Sequence, residues 1–546
     1  MHEHSVRAGP RQWAGLGLLA LPTVLLGLDV TVLYLVAPSM VADLTPSAPQ
    51  LLWIMDAYGF FIAGFLVTMG TLGDRIGRRR LLMIGLAAFA AASVFAAFAP
   101  TAELLIVARA LLGVAGATLM PSTLSLISNM FPDVRQRAVA IGVWATMFAL
   151  GMAAGPVVGG LLVDAFWWGA AFLLAVPIAI AVLAGARVLL PEFADPSAGK
   201  LDLFSVALSL AAILPMIYAI KHMAAYGPQA ESLLLALAGV MAGLLFVRRQ
   251  RRLPDPLLDL TLFRIRAFSV ALSVLLVGLV GVGGSMFLVT QYLQLVEGLT
   301  PFVAGLWMGP PALAMFVAAI GAPLIARRVR PGYVMGATLV ISLVGYALLA
   351  TVGLDGEVTV AIGFAFVYLG LGAIAALGTD MVVGAAPPSK SGSAASLSET
   401  VQELGIALGV ALLGSLAAAV YRARVSVPDG LAGDASHAIG DSLNSAILFA
   451  DRLPAGAVED AQRAFTGGLN VSSIVAGAVI AAVAVLCLWM LRHVPRLGHS
   501  AAPQRERSTD GSASVGVSEE GAWTTPAKTA KLATAVGCAE RGGAPK

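Results

Sequence analysis

The stretch "GTLGDRIGRRR", residues 70–80, lies between two long apolar runs, and its reading decides how the rest of the chain is understood. Gly73 and Gly77 let the backbone turn tightly. Asp74 can cap a helix or pair with a neighbouring one. Arg75, Arg78, Arg79 and Arg80 set four positive charges at the turn, where an anionic inner leaflet would hold them. A merely basic turn would not need Gly70, Gly73, Asp74, Arg75, Gly77 and Arg78 at these spacings.

The flanking apolar runs are two of many. Of the 546 residues, 58% are hydrophobic and 12% are charged, against roughly 25% charged in a soluble domain. Apolar stretches of about 20 residues recur along the chain, each long enough to span a bilayer as a helix. The chain reads as an all-α polytopic membrane protein. Its spans fall near 13–37, 51–72, 81–98, 104–127, 139–162, 170–190, 203–221, 231–247, 267–296, 302–325, 333–352, 359–384, 393–421 and 471–491. No cleavable signal peptide is expected, because the first span is too long and runs into Asp29 where a small-residue cleavage site would stand.

The turns between spans differ in charge. One set reads "DRIGRRR", "PDVRQR", "RRQRRLPDPLLDLTLFRIR" and "RRVRP"; the other reads "APSMVADLTPSAPQ", "APTAE" and "GLDGEV". With the termini on the basic side, 28 of the 34 Lys and Arg lie there and 5 lie opposite. Both termini are therefore expected in the cytoplasm. The net charge of +3 sits in turns and signals orientation, not nucleic-acid binding. Two cysteines, Cys487 and Cys538, supply neither a disulfide framework nor metal-ligand spacing. No nucleophile–base set and no G-x4-G-K-[ST] loop occurs, so neither an enzyme nor an ATP-driven pump is expected.

Two segments fall outside the spans. Residues 422–470 read as an external loop, with helical apolar spacing in "SLNSAILFADRL" and "AVEDAQRAF" that predicts one or two short amphipathic helices; a solvated spacer is the alternative. Residues 492–546 have the composition of a disordered tail.

Charges within spans are expensive and mark function by default. Asp29, in "LLGLDVTVLYLVAP", needs a partner, a wet cavity or a proton; Thr31 and backbone groups could also satisfy it. Arg109, in "ELLIVARALLGVAGA", stays charged and must meet an anion or a polar cavity, unless it snorkels to the helix end. Asp56 has Trp53 at i−3 and Phe60 at i+4, a pattern that could bind a cation through charge and ring faces and that fits aromatic packing alone equally well; Tyr58 is a further aromatic neighbour. Glu399 and Glu403 are four apart in "SLSETVQELGIALG" and share a helix face, where mutual repulsion favours a proton or a cation. Asp380 is a further candidate.

"GVWATMFALGMAAGPVVGG", residues 142–160, holds five glycines and a proline. Gly151, Gly155 and Gly159 form a small-xxx-small stripe that lets helices approach closely, and Pro156 bends the helix, which packed neighbours tolerate. The reading predicts a close, bent contact between the fifth helix and the other bundle, sealing one side of a path.

These motifs resemble those of the major facilitator superfamily. "GTLGDRIGRRR" matches the signature loop G-x-L-(a/g)-D-R-x-G-R-(R/K)-(R/K), and "RALLGVAGA" looks like the fourth-helix motif whose arginine is implicated in proton transfer. Gly142, Gly151, Gly155, Pro156, Gly159 and Gly160 match the fifth-helix antiporter motif. "LDVTVLYLVAP" resembles the first-helix motif of the fourteen-span drug:proton antiporters, although Tyr34, Leu35, Val36 and Ala37 stand where that pattern has Asn–x–Ala. The chain is most similar to quaternary-ammonium and fluoroquinolone efflux pumps of Gram-positive bacteria and actinobacteria.

The resemblance implies two six-helix bundles, 13–190 and 267–491. Two inserted helices, 203–247, a basic linker, 248–266, and a short N-terminus, 1–12, complete the arrangement. It implies alternating access around a midplane cavity in a bacterial cell membrane, with the 70–80 loop locking the outward-facing state. The expected function is proton-driven export of amphipathic, often cationic drugs and dyes by a monomer. Asp29 and Arg109 would couple the proton; Asp56, Trp53, Tyr58, Glu399 and Glu403 would line the cavity. The proton gradient would be the drive, with no cofactor and no metal. An exporter of one endogenous metabolite, lipid or siderophore fits the antiporter motif equally, and a non-transporting receptor or scaffold would not need the intramembrane charges.

Overall fold

The computed structural model describes residues 8–194, 202–226, 229–253, 256, 258, 260–386, 391–428, 434–492 and 494, and the regular elements among them are helices. The first six long helices are α1 (Pro10–Leu44), α2 (Ala48–Ile76), α3 (Arg78–Ala97), α4 (Ala102–Met130), α5 (Val134–Ala165) and α6 (Ala170–Leu189). A hairpin of α7 (Leu203–Tyr226) and α8 (Ala230–Gln250) follows. The last six are α9 (Arg266–Val296), α10 (Pro301–Ala326), α11 (Pro331–Leu349), α12 (Glu357–Ala385), α13 (Ser391–Arg424) and α14 (Ala457–Met490). Thirteen of these are long and apolar enough to cross a membrane, and α7 adds the apolar stretch Leu203–Met216. The tail beyond residue 494 lies outside the described residues, as does Cys538.

Local chemistry places the helix starts. The Asp133 carboxylate accepts the Gln136 backbone N–H at 2.9 Å to open α5, and the Thr101 and Thr300 hydroxyls cap α4 and α10 in the same way. Interior prolines at 22, 38, 121, 156, 215 and 323 are carried within long helices, as membrane bundles allow. Apolar side chains such as Ile84, Leu161, Ile180, Leu313 and Val485 point outward and remain exposed, the pattern of a surface solvated by lipid.

The helix pairings repeat. In the first half α1 packs on α5 and α6, α4 on α2 and α3, and α3 on α6; in the second half α9 packs on α13 and α14, α12 on α10 and α11, and α11 on α14. Matching each helix to the one eight positions later reproduces the set, so the halves are structural repeats. Across the halves α2 meets α13 and α5 meets α10, again equivalent pairs. The α7–α8 hairpin attaches through α7 to α2 and α13.

The fifth-helix stripe lies elsewhere than its spacing suggested. A Cβ on Gly151 would stand 2.3 Å from the Val24 carbonyl oxygen, one on Gly155 would stand 1.9 Å from the Thr31 hydroxyl, and one on Gly159 would stand 2.8 Å from Val32. All three belong to α1, so the stripe joins α5 to its own half. The adjacent edge makes the contact between halves: Gly160 faces Pro301 and Phe302, and Pro156 faces Gly305 of α10. Spacing identifies a face that accepts a close helix without saying which one. Gly142 has no neighbouring atom within 4 Å of such a Cβ.

The 422–470 segment is also more ordered than a loop. It contains the short helices Asp434–Asp441 and Leu443–Leu448, while "AVEDAQRAF" forms the first turns of α14, which therefore begins at Ala457. Ala457, Ala461 and Ala464 bury one face against Leu295, Tyr421, Ile439 and Leu443, extending the helix beyond its most apolar part.

Candidate functional site

Asp29 lies mid-way along α1 and Arg109 two turns into α4, and both are buried, at 8% and 2% exposure. Arg109 Nη1 donates to Asp29 Oδ2 at 3.1 Å, and Nε donates to the Ile54 carbonyl at 3.2 Å. The guanidinium lies 4.7 Å from the centre of the Tyr58 ring and 6.0 Å from that of Phe172. Small residues make this possible. A Cβ on Gly113 would stand 2.5 Å from the Tyr58 carbonyl and one on Gly116 would stand 3.0 Å from Ile62. The glycines of "RALLGVAGA" thus bring α4 against α2, where Ile54 and Tyr58, one turn apart, meet the arginine. Thr31 does not serve Asp29: its hydroxyl donates to the Met152 carbonyl at 3.0 Å and ties α1 to α5.

The second half contributes Glu403, 6% exposed on α13. It lies within electrostatic range of Asp29, Arg109 and Glu399. The approach is set at Gly59, whose Cβ would stand 3.1 Å from Ala407 and 3.5 Å from the Glu403 carbonyl. Glu399 is half-buried one turn away. Asp56 is 1% exposed, and Tyr34 stands within electrostatic range of Asp56, Arg109, Glu403 and Tyr368. Asp29 and Glu403 therefore flank one arginine at the junction of the halves, and Asp56 is buried within electrostatic range of the same Tyr34.

Other predicted residues fall outside this cluster. Trp53 packs edge-on with Phe60 at 6.3 Å and against Tyr218 of α7 at 6.4 Å. Phe60 joins Ala407, Ile213, Leu214 and Leu404. The two rings, seven residues apart, lie along the α2–α7–α13 seam, where they hold the inserted hairpin. Asp380 is exposed, next to a polar ladder in which Ser398 and Gln402 both reach the Thr379 hydroxyl, at 3.3 and 3.4 Å.

Residues without a motif complete the site. Tyr34 and Tyr368 are each 5% exposed, the Tyr368 hydroxyl donates to Met286 Sδ at 3.0 Å, and its ring lies 4.4 Å from Phe364. Their only signal in the sequence is an aromatic hydroxyl inside an otherwise apolar span.

The 70–80 turn is clasped within its own half. Arg78 Nε donates to Asp74 Oδ1 at 2.8 Å, and Arg78 Nη1 reaches the Pro121 carbonyl at 3.5 Å. The decisive partner is Glu192, just past α6: its Oε1 accepts the Arg79 backbone N–H at 3.0 Å, and Oε2 lies 3.4 Å from Arg79 Nε. A carboxylate here completes the positive N-terminus of α3. Arg79 Nη1 also donates to the Leu190 carbonyl at 2.9 Å, and the Arg78 N–H to the Phe193 carbonyl at 2.9 Å. Gly77 has φ +106, and a Cβ there would stand 2.4 Å from Glu192 Oε1, so both its torsion and its space require glycine. Gly73 packs on Arg78, Gly70 is buried and Arg75 is exposed.

Comparison with known proteins agrees with this architecture. The Major Facilitator Superfamily profile matches residues 19–410. The chain is 41% identical over 487 residues to the multidrug efflux pump LfrA of Mycolicibacterium smegmatis, covering 88% of this chain and 97% of that one. It is 32% identical to the methyl viologen resistance protein SmvA of Salmonella typhimurium, covering 87% and 97%. Among solved structures, a bacterial homologue of the human lysosomal transporter Spinster, inward-facing and unoccupied, superposes with a TM-score of 0.64 at 16% identity, covering 89% and 98%. Repeated halves, the clasped 70–80 turn, the buried arginine of α4 and these matches lead to one conclusion: the chain is a multi-pass membrane protein belonging to the Major Facilitator Superfamily.

Proposed function

We propose that the protein is a proton-coupled exporter of amphipathic, often cationic drugs and dyes, working by alternating access in a bacterial cytoplasmic membrane. The observation that carries this reading is the buried Arg109–Asp29 pair with Glu403 of the opposite half in electrostatic range. The names of the relatives, a multidrug efflux pump and a methyl viologen resistance protein, support the substrate class.

Asp29 carries the proton in this scheme. A proton entering from outside binds the Asp29 carboxylate, cancels its charge and weakens its hold on Arg109. The freed guanidinium keeps the Ile54 carbonyl and the Tyr58 ring and acts more strongly on Glu403. A bound cation favours the carboxylates in their ionised form, so cation and proton compete, and releasing the proton inside re-forms the pair. This surrounding suits flat aromatic cations, since Tyr34 and Tyr368 add aromatic rings and Met286 adapts to different shapes. The basic turns support both termini lying in the cytoplasm.

The test is ethidium and fluoroquinolone accumulation in inverted vesicles. The expected result is uptake driven by an imposed proton gradient, abolished by an uncoupler, with competition between unrelated cations. Uptake insensitive to the uncoupler would refute proton coupling. Strict selectivity for a single compound would favour the metabolite exporter.

A further inference from the structure

A cavity of about 370 Å³ opens at the basic end of the first half, lined by Ala8, Arg11, Gln12, Asn129, Met130, Pro132, Leu189, Pro191 and Phe193. It lies where α1 begins and where α4 and α6 end, at the boundary between the apolar spans and the polar turns. Its lining divides into two kinds: Met130, Pro132, Leu189, Pro191 and Phe193 make an apolar wall, while Arg11 and Gln12 carry N–H donors beside Asn129, whose Nδ2 donates to the Ser125 carbonyl at 3.0 Å. Among the described residues, no carboxylate lines it. Arg11 Nη2 reaches the Val188 carbonyl, which holds its guanidinium at the mouth. Trp13, 38% exposed and next to the lining Gln12, packs edge-on with Phe131 at 5.1 Å, the kind of residue enriched at membrane interfaces.

We infer that this cavity binds the phosphodiester headgroup of an anionic phospholipid from the inner leaflet. An amphiphile matches the lining: the phosphate meets Arg11 and Gln12, and the glycerol and first acyl carbons lie on the apolar wall beside Asn129. The volume is at the lower end of that of small-molecule pockets, which suits a headgroup and not a whole lipid. The assignment rests on the membrane location and on Arg11, and is independent of the exported substrate.

The site has a mechanical consequence. Leu189, Pro191 and Phe193 of the wall alternate with Leu190 and Glu192, and Leu190, Glu192 and Phe193 are the residues that clasp Arg78 and Arg79. An occupant braces this strap from the side opposite α3. Anionic lipid therefore stiffens the clasp on the 70–80 turn and biases the equilibrium between access states.

The experiment uses the purified full chain in detergent and native mass spectrometry with short-chain phosphatidylglycerol, short-chain phosphatidylcholine and inorganic phosphate as probes. Wild type should retain phosphatidylglycerol over phosphatidylcholine. Loss of one interfacial charge, worth about 1 kcal/mol, should weaken retention about fivefold in Arg11→Gln, while Arg11→Lys keeps most of it. Asn129→Leu, which fills the cavity and leaves the charge, should also reduce retention. Equal retention by wild type and both the Arg11→Gln and Asn129→Leu variants would overturn the site. Displacement of the lipid by millimolar inorganic phosphate would overturn the lipid assignment in favour of a free anion.

Discussion

Replacing Asp29 by Asn tests the centre of the mechanism, and its cost can be worked from the contacts. Removing one partner of a buried ion pair costs about 3–5 kcal/mol, because the remaining charge is left uncompensated. Arg109 is 2% exposed and cannot turn to water. The Asn carbonyl oxygen can still accept the bond now made at 3.1 Å, recovering about 1 kcal/mol. The Ile54 carbonyl and the Tyr58 face serve both variants equally. The net loss is about 2–4 kcal/mol, enough to lower the melting temperature in detergent by several degrees while the chain still inserts. Gradient-driven ethidium transport should vanish, because the amide carries no titrating proton. The double variant Asp29→Asn with Arg109→Gln should regain most of the lost stability, since no isolated charge remains, but none of the transport. A coupling energy near zero in this double-mutant cycle, or wild-type efflux by Asp29→Asn, would refute the reasoning.

Three further outcomes follow from particular contacts. Gly155→Leu should abolish efflux and lower the yield of folded protein, because its Cβ alone would stand 1.9 Å from the Thr31 hydroxyl, whereas Gly142→Ala, with open space around it, should transport normally. Glu403→Gln should reduce export of cationic dyes several-fold more than export of neutral drugs, read from competition in vesicles; an equal effect on both would remove Glu403 from cation recognition. In the α7–α8 hairpin, hydrogen bonds from Arg249 at 2.8 and 3.0 Å hold the Asp202 carboxyl down to about 2. A carboxylate depressed in the folded state contributes stability above its ordinary pKa, and that contribution fades as pH falls from about 4 toward 2. Asp202→Asn should therefore flatten the melting-temperature profile over that window and leave efflux near neutral pH unchanged.

Much of this protein is legible in one dimension because a bilayer imposes simple rules. Length and hydropathy mark the spans, since backbone groups in hydrocarbon must be satisfied within a helix. The basic turns carry the expectation of which side faces the cytoplasm. A lone charge in a span betrays itself, so Asp29 and Arg109 could be named before any geometry. Other features were decided only by the packed chain. The partner of Asp29 was open between Thr31 and Arg109, eighty residues away, until Gly113 and Gly116 brought α4 against α2 and Thr31 turned to α5. The stripe of Gly151, Gly155 and Gly159 announces a close neighbour, but any helix with a matching groove could fill it, and α1 does. Trp53 reads equally well as a cation site or as packing; α7 settles its ring against Tyr218. Glu192 carries no motif, because its role depends on the end of α6 lying over the start of α3. Sequence records what each residue needs, namely burial, a counter-charge or a small neighbour. Which residue answers that need is fixed by the close packing of the helices, and that depends on the whole chain at once.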